Sequence, residues 1–210
     1  MSATSPPAPR LTRKGQATKE RILQVAADLI LEHGVHGTQI DDVRKAAGVS
    51  GSQMTHYFHD KRCLIAEVVA WQAQDNLDNH TQPALGNLDS FAALHTWARL
   101  LLERQQDRAY VGGCQFGSLA GQLVESDPEV RAGLADGFTR LLKLFRDGLQ
   151  AMRDRGDLRP DADPEQLSHV LIAAMQGGML LTQTLRRPEP LRDALNGAIA
   201  HVETFAAAAE

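Results

Sequence analysis

Residues 38–58 read TQIDDVRKAAGVSGSQMTHYF, and this stretch indicates the fold of the region around it. Apolar residues at helical spacing predict one short helix over about 39–46 and a second over about 50–57. Gly48 interrupts the pattern and predicts a tight turn, because glycine adopts backbone conformations that other residues avoid. Two short helices joined by such a turn predict a helix-turn-helix, which places its second helix in a DNA major groove.

Both predicted helices begin with a capping pattern. Thr38 precedes the first helix and is followed three residues later by Asp41, and Ser50 is followed at the same spacing by Gln53. Side chains of these types satisfy the backbone N–H groups that a helix leaves free in its first turn. The sequence therefore predicts that Thr38 and Ser50 cap the two helices.

The second predicted helix has a polar side that is free to face DNA. Small residues at its start let the helix N-terminus approach a phosphate, and Gln53 is able to pair with adenine through two hydrogen bonds. The predicted base-reading surface consists of Ser50, Gly51, Ser52, Gln53, Thr55 and His56.

The remainder of the chain also predicts helices. Leucine and alanine recur, whereas aromatic residues form 5% of the sequence, and this balance favours helices over strands. Two Asp-Pro pairs, at 127–128 and 163–164, each combine an N-cap with a proline at the first helical position. We therefore predict an all-α fold of about nine helices, the other seven covering about 18–33, 61–80, 90–111, 115–125, 128–155, 164–186 and 190–208.

The net charge of −4 is distributed unevenly. Residues 1–62 hold nine Lys and Arg and six Asp and Glu, a net charge of +3, whereas residues 63–210 hold 13 and 20, a net charge of −7. A basic N-terminal part supplies a sequence-independent attraction to phosphates. We predict a disordered basic arm over 1–14, a DNA-binding domain over 15–62 and a ligand-binding and dimerisation domain over 63–210.

The two cysteines, Cys63 and Cys114, are far apart and form no paired motif. They predict neither a disulfide framework nor a zinc site, and we expect no metal and no cofactor. The first 20 residues contain three prolines and several basic residues where a signal peptide needs an apolar core, and no stretch approaches 18 uninterrupted apolar residues. We expect a cytoplasmic protein that does not span a membrane.

The pattern GxxxTxxxxVxxAAGVS…HYFxxKxxL, which begins at Gly34, resembles the DNA-binding segment of TetR-type transcriptional regulators over about residues 18–70. The resemblance implies contacts with the DNA backbone from the starts of the second and fourth helices and the end of the recognition helix. These contacts, with those of the basic arm, would come from Arg13, Lys14, Thr38, His56, Tyr57 and Lys61. Family members often have Lys-Gly and an aromatic residue where this chain has Gly51-Ser52 and Thr55. We therefore expect specificity to depend on Gln53, His56 and the arm.

The resemblance also implies an effector pocket and a dimer interface among the helices beyond the fourth. The candidates for a pocket that takes a small apolar or amphipathic effector are Trp97, Leu101, Cys114, Phe116, Phe138, Met175 and Met179. The candidates for the dimer interface lie in the last two long helices and are Leu171, Gly178, Leu185, Ala198 and Val202.

The prediction is a ligand-responsive regulator, a repressor that binds a pseudo-palindromic operator as a homodimer and is released by its effector. One alternative is a non-specific DNA-binding protein, which would show steep salt dependence and no sequence preference. Another is an all-α enzyme that uses the C-terminal pocket. No Ser/His/Asp order, carboxylate pair or metal spacing supports catalysis, so we expect no enzyme activity.

Overall fold

The computed structural model describes residues 11–125 and 127–207. Within these residues the chain forms nine α-helices and a 3-10 turn at Pro83–Leu85, with no strand beyond an isolated bridge, which confirms the all-α prediction. The helices are α1 (Arg13–Gly37), α2 (Ile40–Ala46), α3 (Gly51–Tyr57), α4 (Lys61–Asp78), α5 (Phe91–Asp107), α6 (Gln115–Leu123), α7 (Pro128–Arg155), α8 (Pro164–Leu185) and α9 (Glu189–Glu203).

The chain divides into two compact units between Val68 and Val69. This division and the predicted boundary after residue 62 both fall inside α4. The first unit contains α1, α2, α3 and the start of α4. Apolar side chains from all four helices are buried in its core, among them Ile22, Ala26, Ile30, Val43, Met54, Phe58 and Leu64.

The second unit has its core among α5, α7, α8 and α9, with α8 packed against both α7 and α9. Gly178 permits a close approach of α8 to α9, since a Cβ atom there would lie 2.9 Å from the Leu191 Cα. Thr182, one turn along α8, accepts a 3.0 Å hydrogen bond from the Leu191 N–H. The predicted Asp-Pro caps are present, and the Asp163 carboxylate accepts from the Glu165 N–H at 2.9 Å.

The first helix begins earlier than predicted. Thr12 caps α1 by accepting a 3.1 Å hydrogen bond from the Gly15 N–H, so Arg13 and Lys14 lie in the first helical turn rather than in an arm. The Thr12 cap allows the helix to begin before the first apolar position of the periodic run. Residues 1–10 of the predicted arm lie outside the described residues.

The cap of α2 is also one residue away from the predicted position. Thr38 donates its hydroxyl to the Gly34 carbonyl at 2.9 Å, because Gly34 (φ 73°) breaks α1 and leaves that carbonyl available. The N-cap is Gln39, whose N–H donates to the Asp42 carboxylate at 3.4 Å. The pairing is therefore Gln39 with Asp42 rather than Thr38 with Asp41.

The last helix ends at Glu203, five residues before the predicted end. The chain then runs beside the segment that follows α7: the Arg159 N–H donates to the Phe205 carbonyl at 2.8 Å, and the Ala207 N–H donates to the Asp157 carbonyl at 3.0 Å. The half-buried Phe205 packs against the core, and the chain makes this contact instead of continuing as a helix.

Candidate nucleic-acid interface and inner cavity

The recognition helix α3 buries one side and exposes the other. Met54 and Phe58, four residues apart, are both buried, and Phe58 is only 1% exposed. The side chains predicted to read bases all lie on the exposed side: Ser50, Gly51, Ser52, Gln53, Thr55 and His56.

The turn before α3 depends on the left-handed conformation of Gly48, which has φ 62°. Its N–H donates to the Lys45 carbonyl at 3.1 Å, and the buried residues on either side, Ala47 and Val49, anchor the turn in the core. No atom lies within 4 Å of a Cβ built on Gly48, so conformation rather than space requires glycine here.

A reciprocal capping box fixes the start of α3. The Gln53 N–H donates to the Ser50 hydroxyl at 3.2 Å, and the Ser50 N–H donates to the Gln53 Oε1 at 3.0 Å. The predicted role of Gln53 in reading adenine needs the same Oε1 as an acceptor. Gln53 therefore has a structural function in the free protein, and base pairing must share or replace that hydrogen bond.

The residues predicted to hold phosphates differ in their exposure. Arg13 and Lys14 are exposed, and Lys61 is half-buried at the first position of α4. The Tyr57 hydroxyl lies near the start of α1, 3.5 Å from a Cβ built on Gly15. Thr38 is buried and donates its hydroxyl to the Gly34 carbonyl, so it is the predicted contact least available to a phosphate.

A group of ion pairs on α2 was not predicted. Asp41 contacts Arg44 at 2.6 Å and Lys45 at 2.8 Å, at the i+3 and i+4 positions of the helix. The hydrogen bonds from Arg44 and then from Lys45 lower the pKa of Asp41 to about 2. The i+3 and i+4 spacing of Arg44 and Lys45 after Asp41 was the signal in the sequence for these ion pairs. Two cations of this unit are therefore paired within α2.

An inner cavity of about 60 Å³ lies in the second unit, among α4, α5, α6 and α8. Five of the seven predicted pocket residues line it, namely Leu101, Cys114, Phe116, Met175 and Met179. The other two lie just outside: Phe138 packs on Phe116 with ring centroids 4.9 Å apart, and the Trp97 ring lies 6.3 Å from that of His80, a lining residue.

The cavity also has polar walls that were not predicted. Gln72, His80, Arg104 and Gln105 line it. Burial lowers the pKa of His80 to about 4. The sequence did contain a signal for Gln105: it lies four residues after Leu101, at the next position of the buried stripe of α5, where an apolar residue is expected.

Most predicted dimer residues lie inside a single chain. Leu171, Ala198 and Val202 are buried in the core of the second unit, and Gly178 packs against α9 of the same chain. Leu185 is 48% exposed. The same apolar periodicity marks a core face and an interface face, which is why the sequence did not separate them.

The described residues contain no group of three or more His, Cys, Asp or Glu side chains that could hold a metal ion. A search of the helices that the structure describes finds none with the length and apolar character of a membrane span.

Comparison with known proteins assigns both units to families. Residues 22–68 match the family described as "Bacterial regulatory proteins, tetR family", and residues 91–198 match "Tetracyclin repressor-like, C-terminal domain". The chain is 23% identical to the HTH-type transcriptional repressor DhaR of Mycobacterium sp. strain GP1, over 82% of this chain and 86% of that one. It is 25% identical to the HTH-type transcriptional repressor NemR of Escherichia coli K12, over 90% and 94% of the two chains.

Solved structures share the fold. A TetR transcriptional regulator from Chloroflexus aurantiacus superposes with a TM-score of 0.79 at 24% identity, over 94% of this chain and all of the other. The reduced form of E. coli NemR gives a TM-score of 0.77 at 21% identity, over 91% and 97% of the two chains.

Proposed function

Because this chain belongs to the TetR family of DNA-binding transcriptional regulators, which are not enzymes, we propose that it is a repressor that a small molecule releases from its operator. The observation that carries this proposal is the exposed polar side of α3 behind the Gly48 turn. The names of the relatives DhaR and NemR, both repressors, favour repression over activation. We propose that the protein acts in the cytoplasm, where the DNA that it would regulate lies in a bacterium.

In this proposal α3 enters the major groove, where Gln53 and His56 read base edges with the small side chains around them. The cationic and hydroxyl groups at the edges of the unit position the protein on the DNA backbone. The proposed phosphate contacts are Arg13, Lys14, Thr38, Tyr57 and Lys61.

We propose that the repressor is a homodimer whose interface includes the exposed apolar side of α8. Leu180 and Leu181 are 62% and 53% exposed, and with Leu185 they form an apolar stripe at helical spacing. A groove of about 370 Å³ runs beside this stripe, with Gly117, Gly121 and Gly177 among its lining residues. A second copy of α8 would cover both. Two recognition helices would then read half-sites of a pseudo-palindromic operator, 34–36 Å or more apart.

The effector would bind in the inner cavity and favour a dimer whose reading helices have the wrong spacing. A ligand shifts such an equilibrium only through its different affinities for the two states. Among the helices that the structure describes, α4 alone contributes residues to both units, with Lys61 in the first and the cavity residue Gln72 in the second. It is therefore the proposed connection between effector and DNA.

Selection of duplexes from a random library by the purified protein, followed by footprinting, tests the repressor proposal. We expect a short palindrome to be enriched and protected. The substitution Gln53→Ala should then reduce the free-energy preference for one base at one position of each half-site by about 1–3 kcal/mol. Lys61→Ala should instead weaken binding to all sequences equally. Binding without any enriched sequence would instead support the alternative of a non-specific DNA-binding protein.

A further inference from the structure

Two polar atoms at the inner cavity are buried and have no hydrogen-bond partner among the described residues. They are the Nε2 of His80 and the Oε1 of Gln105, on side chains that are 3% and 1% exposed. Both residues line the cavity. A buried polar group without a partner is uncommon because it costs free energy, and its usual explanation is a water molecule or ligand.

Both atoms are acceptors. The His80 Nδ1 lies 2.7 Å from the Asn76 carbonyl oxygen, which only accepts, so Nδ1 carries the proton and Nε2 presents a lone pair. The low pKa of His80 agrees with a neutral ring. The Gln105 Nε2 donates to the Gly113 carbonyl at 3.4 Å, which leaves Oε1 as the free acceptor. Neither acceptor receives a hydrogen bond from the described residues, so a molecule in the cavity would have to supply the donor.

The cavity also presents a cation that no carboxylate contacts directly. Arg104 is half-buried, and its guanidinium makes no hydrogen bond or ion pair with any residue that the structure describes. Burial, and then the nearby Arg108, lower the pKa of Arg104, whereas Asp75 raises it. These three residues all line the cavity, and with a neutral His80 the charges give a net excess of one positive charge. An anionic group is the complement of this wall.

We propose that the cavity binds a small hydroxycarboxylate, with its carboxylate on Arg104 and its hydroxyl donating to His80 Nε2 or Gln105 Oε1. The apolar side chains of Leu101, Phe116 and Met175 on the remaining walls accommodate a short carbon chain. A volume of about 60 Å³ holds about four to six water-sized groups of about 10–15 Å³ each, which limits a hydroxycarboxylate to about two or three carbons. This inference rests on the proposed effector site and narrows the expected apolar or amphipathic effector to a small anionic one.

Isothermal titration calorimetry of the whole protein, without DNA, tests the inference with three probes of similar size. Lactate has both groups, propionate lacks the hydroxyl, and 1,2-propanediol lacks the carboxylate. We expect lactate to bind at least about tenfold more tightly than either of the others, since each charged or buried hydrogen bond contributes about that factor.

The variant Arg104→Met should reduce the affinity for lactate to that for 1,2-propanediol. Arg99→Met is the matched control, because Arg99 lies on the same helix but is exposed and paired with Glu103 at 2.7 Å. Gln105→Leu should reduce the preference for lactate over propionate, and far-UV circular dichroism checks that it folds.

Equal binding of all three probes, or binding of none of them, would overturn the inference, and in the second case ordered water would be the partner of His80 and Gln105. A loss in Arg99→Met equal to that in Arg104→Met would overturn it too. These outcomes are independent of operator selection, so a failure here is distinguishable from a failure of the repressor proposal.

Discussion

The two functions assigned to Gln53 are separable by a single substitution. In the free protein its Oε1 accepts from the Ser50 N–H at 3.0 Å, and on DNA the same amide is proposed to pair with adenine. Glutamate keeps an acceptor at this position but has no N–H to donate. Gln53→Glu should therefore preserve the capping box and abolish base reading, whereas Gln53→Ala removes both.

The magnitudes follow from this geometry. Loss of the capping hydrogen bond in Gln53→Ala should destabilise α3 by about 0.5–1.5 kcal/mol. In Gln53→Glu the added negative charge lies in the first turn of α3, where it should stabilise the helix by about 0.3–1 kcal/mol. On DNA, a carboxylate facing the adenine N7 puts two acceptors together, so operator affinity should fall by about 1–3 kcal/mol, or roughly 5- to 150-fold.

Hydrogen exchange of the α3 amides measures the first effect, and fluorescence anisotropy with an operator duplex measures the second. Gln166→Glu is the matched control: it makes the same charge change at the third position of α8, in the other unit, and should leave operator affinity unchanged. If the α3 amides exchanged as fast in Gln53→Glu as in Gln53→Ala, the proposed role of Gln53 in the capping box would be wrong. Unaltered operator affinity in Gln53→Glu would refute the placement of this side chain at the DNA.

Three further outcomes are expected. Gly48→Ala should destabilise the first unit by about 1 kcal/mol in urea unfolding, because φ 62° strains any residue with a Cβ; an unchanged midpoint would contradict this account. Leu181→Glu should shift the protein toward monomer in sedimentation velocity, whereas the equally exposed Val111→Glu should not, and equal effects would remove α8 from the interface. The pKa of His80 is lowered to about 4 from 6.5, so the unfolded state binds its proton first as pH falls. The free energy of unfolding should fall as the pH is lowered from about 6.5 to 4, by up to about 1.4 kcal/mol per pH unit. This fall should be shallower in His80→Phe, whereas the exposed-site control His169→Asn should show the same fall as the unsubstituted protein.

The parts of the fold that the sequence predicted well are those fixed by neighbouring residues. A capping carboxylate followed by proline determines a helix start within two positions, as at Asp163, and a glycine in the left-handed region determines a turn, as at Gly48. The errors at the helix ends have the same local origin. Thr12 caps α1 ahead of the apolar run. Gln39 rather than Thr38 caps α2 because the Thr38 hydroxyl bonds to the Gly34 carbonyl, a backbone detail that the sequence does not display.

Contacts between distant residues were harder to predict. Leu171 and Leu181 have the same apolar character on the same helix, yet the first is buried and the second is 53% exposed. Gly178 lies on the face of α8 that meets α9, and its lack of a side chain lets that helix approach. Periodicity establishes that α8 has apolar faces, and only the packing of three helices determines which of them remains available to a second copy.

The polar cavity follows a different physical rule from the core around it. A core that is optimised only for stability would place leucine at the position of Gln105 and would leave no lone pair unpartnered at His80. Each of the two acceptors costs about 1–3 kcal/mol as long as no donor reaches it. In the proposed effector site, a ligand hydroxyl that donates to one of these acceptors would recover the free energy that this acceptor costs, and this would favour the ligand-bound state. Because α4 carries Gln72 at this cavity and Lys61 in the other unit, this helix is the proposed route by which the binding of an effector would reach the DNA-binding residues.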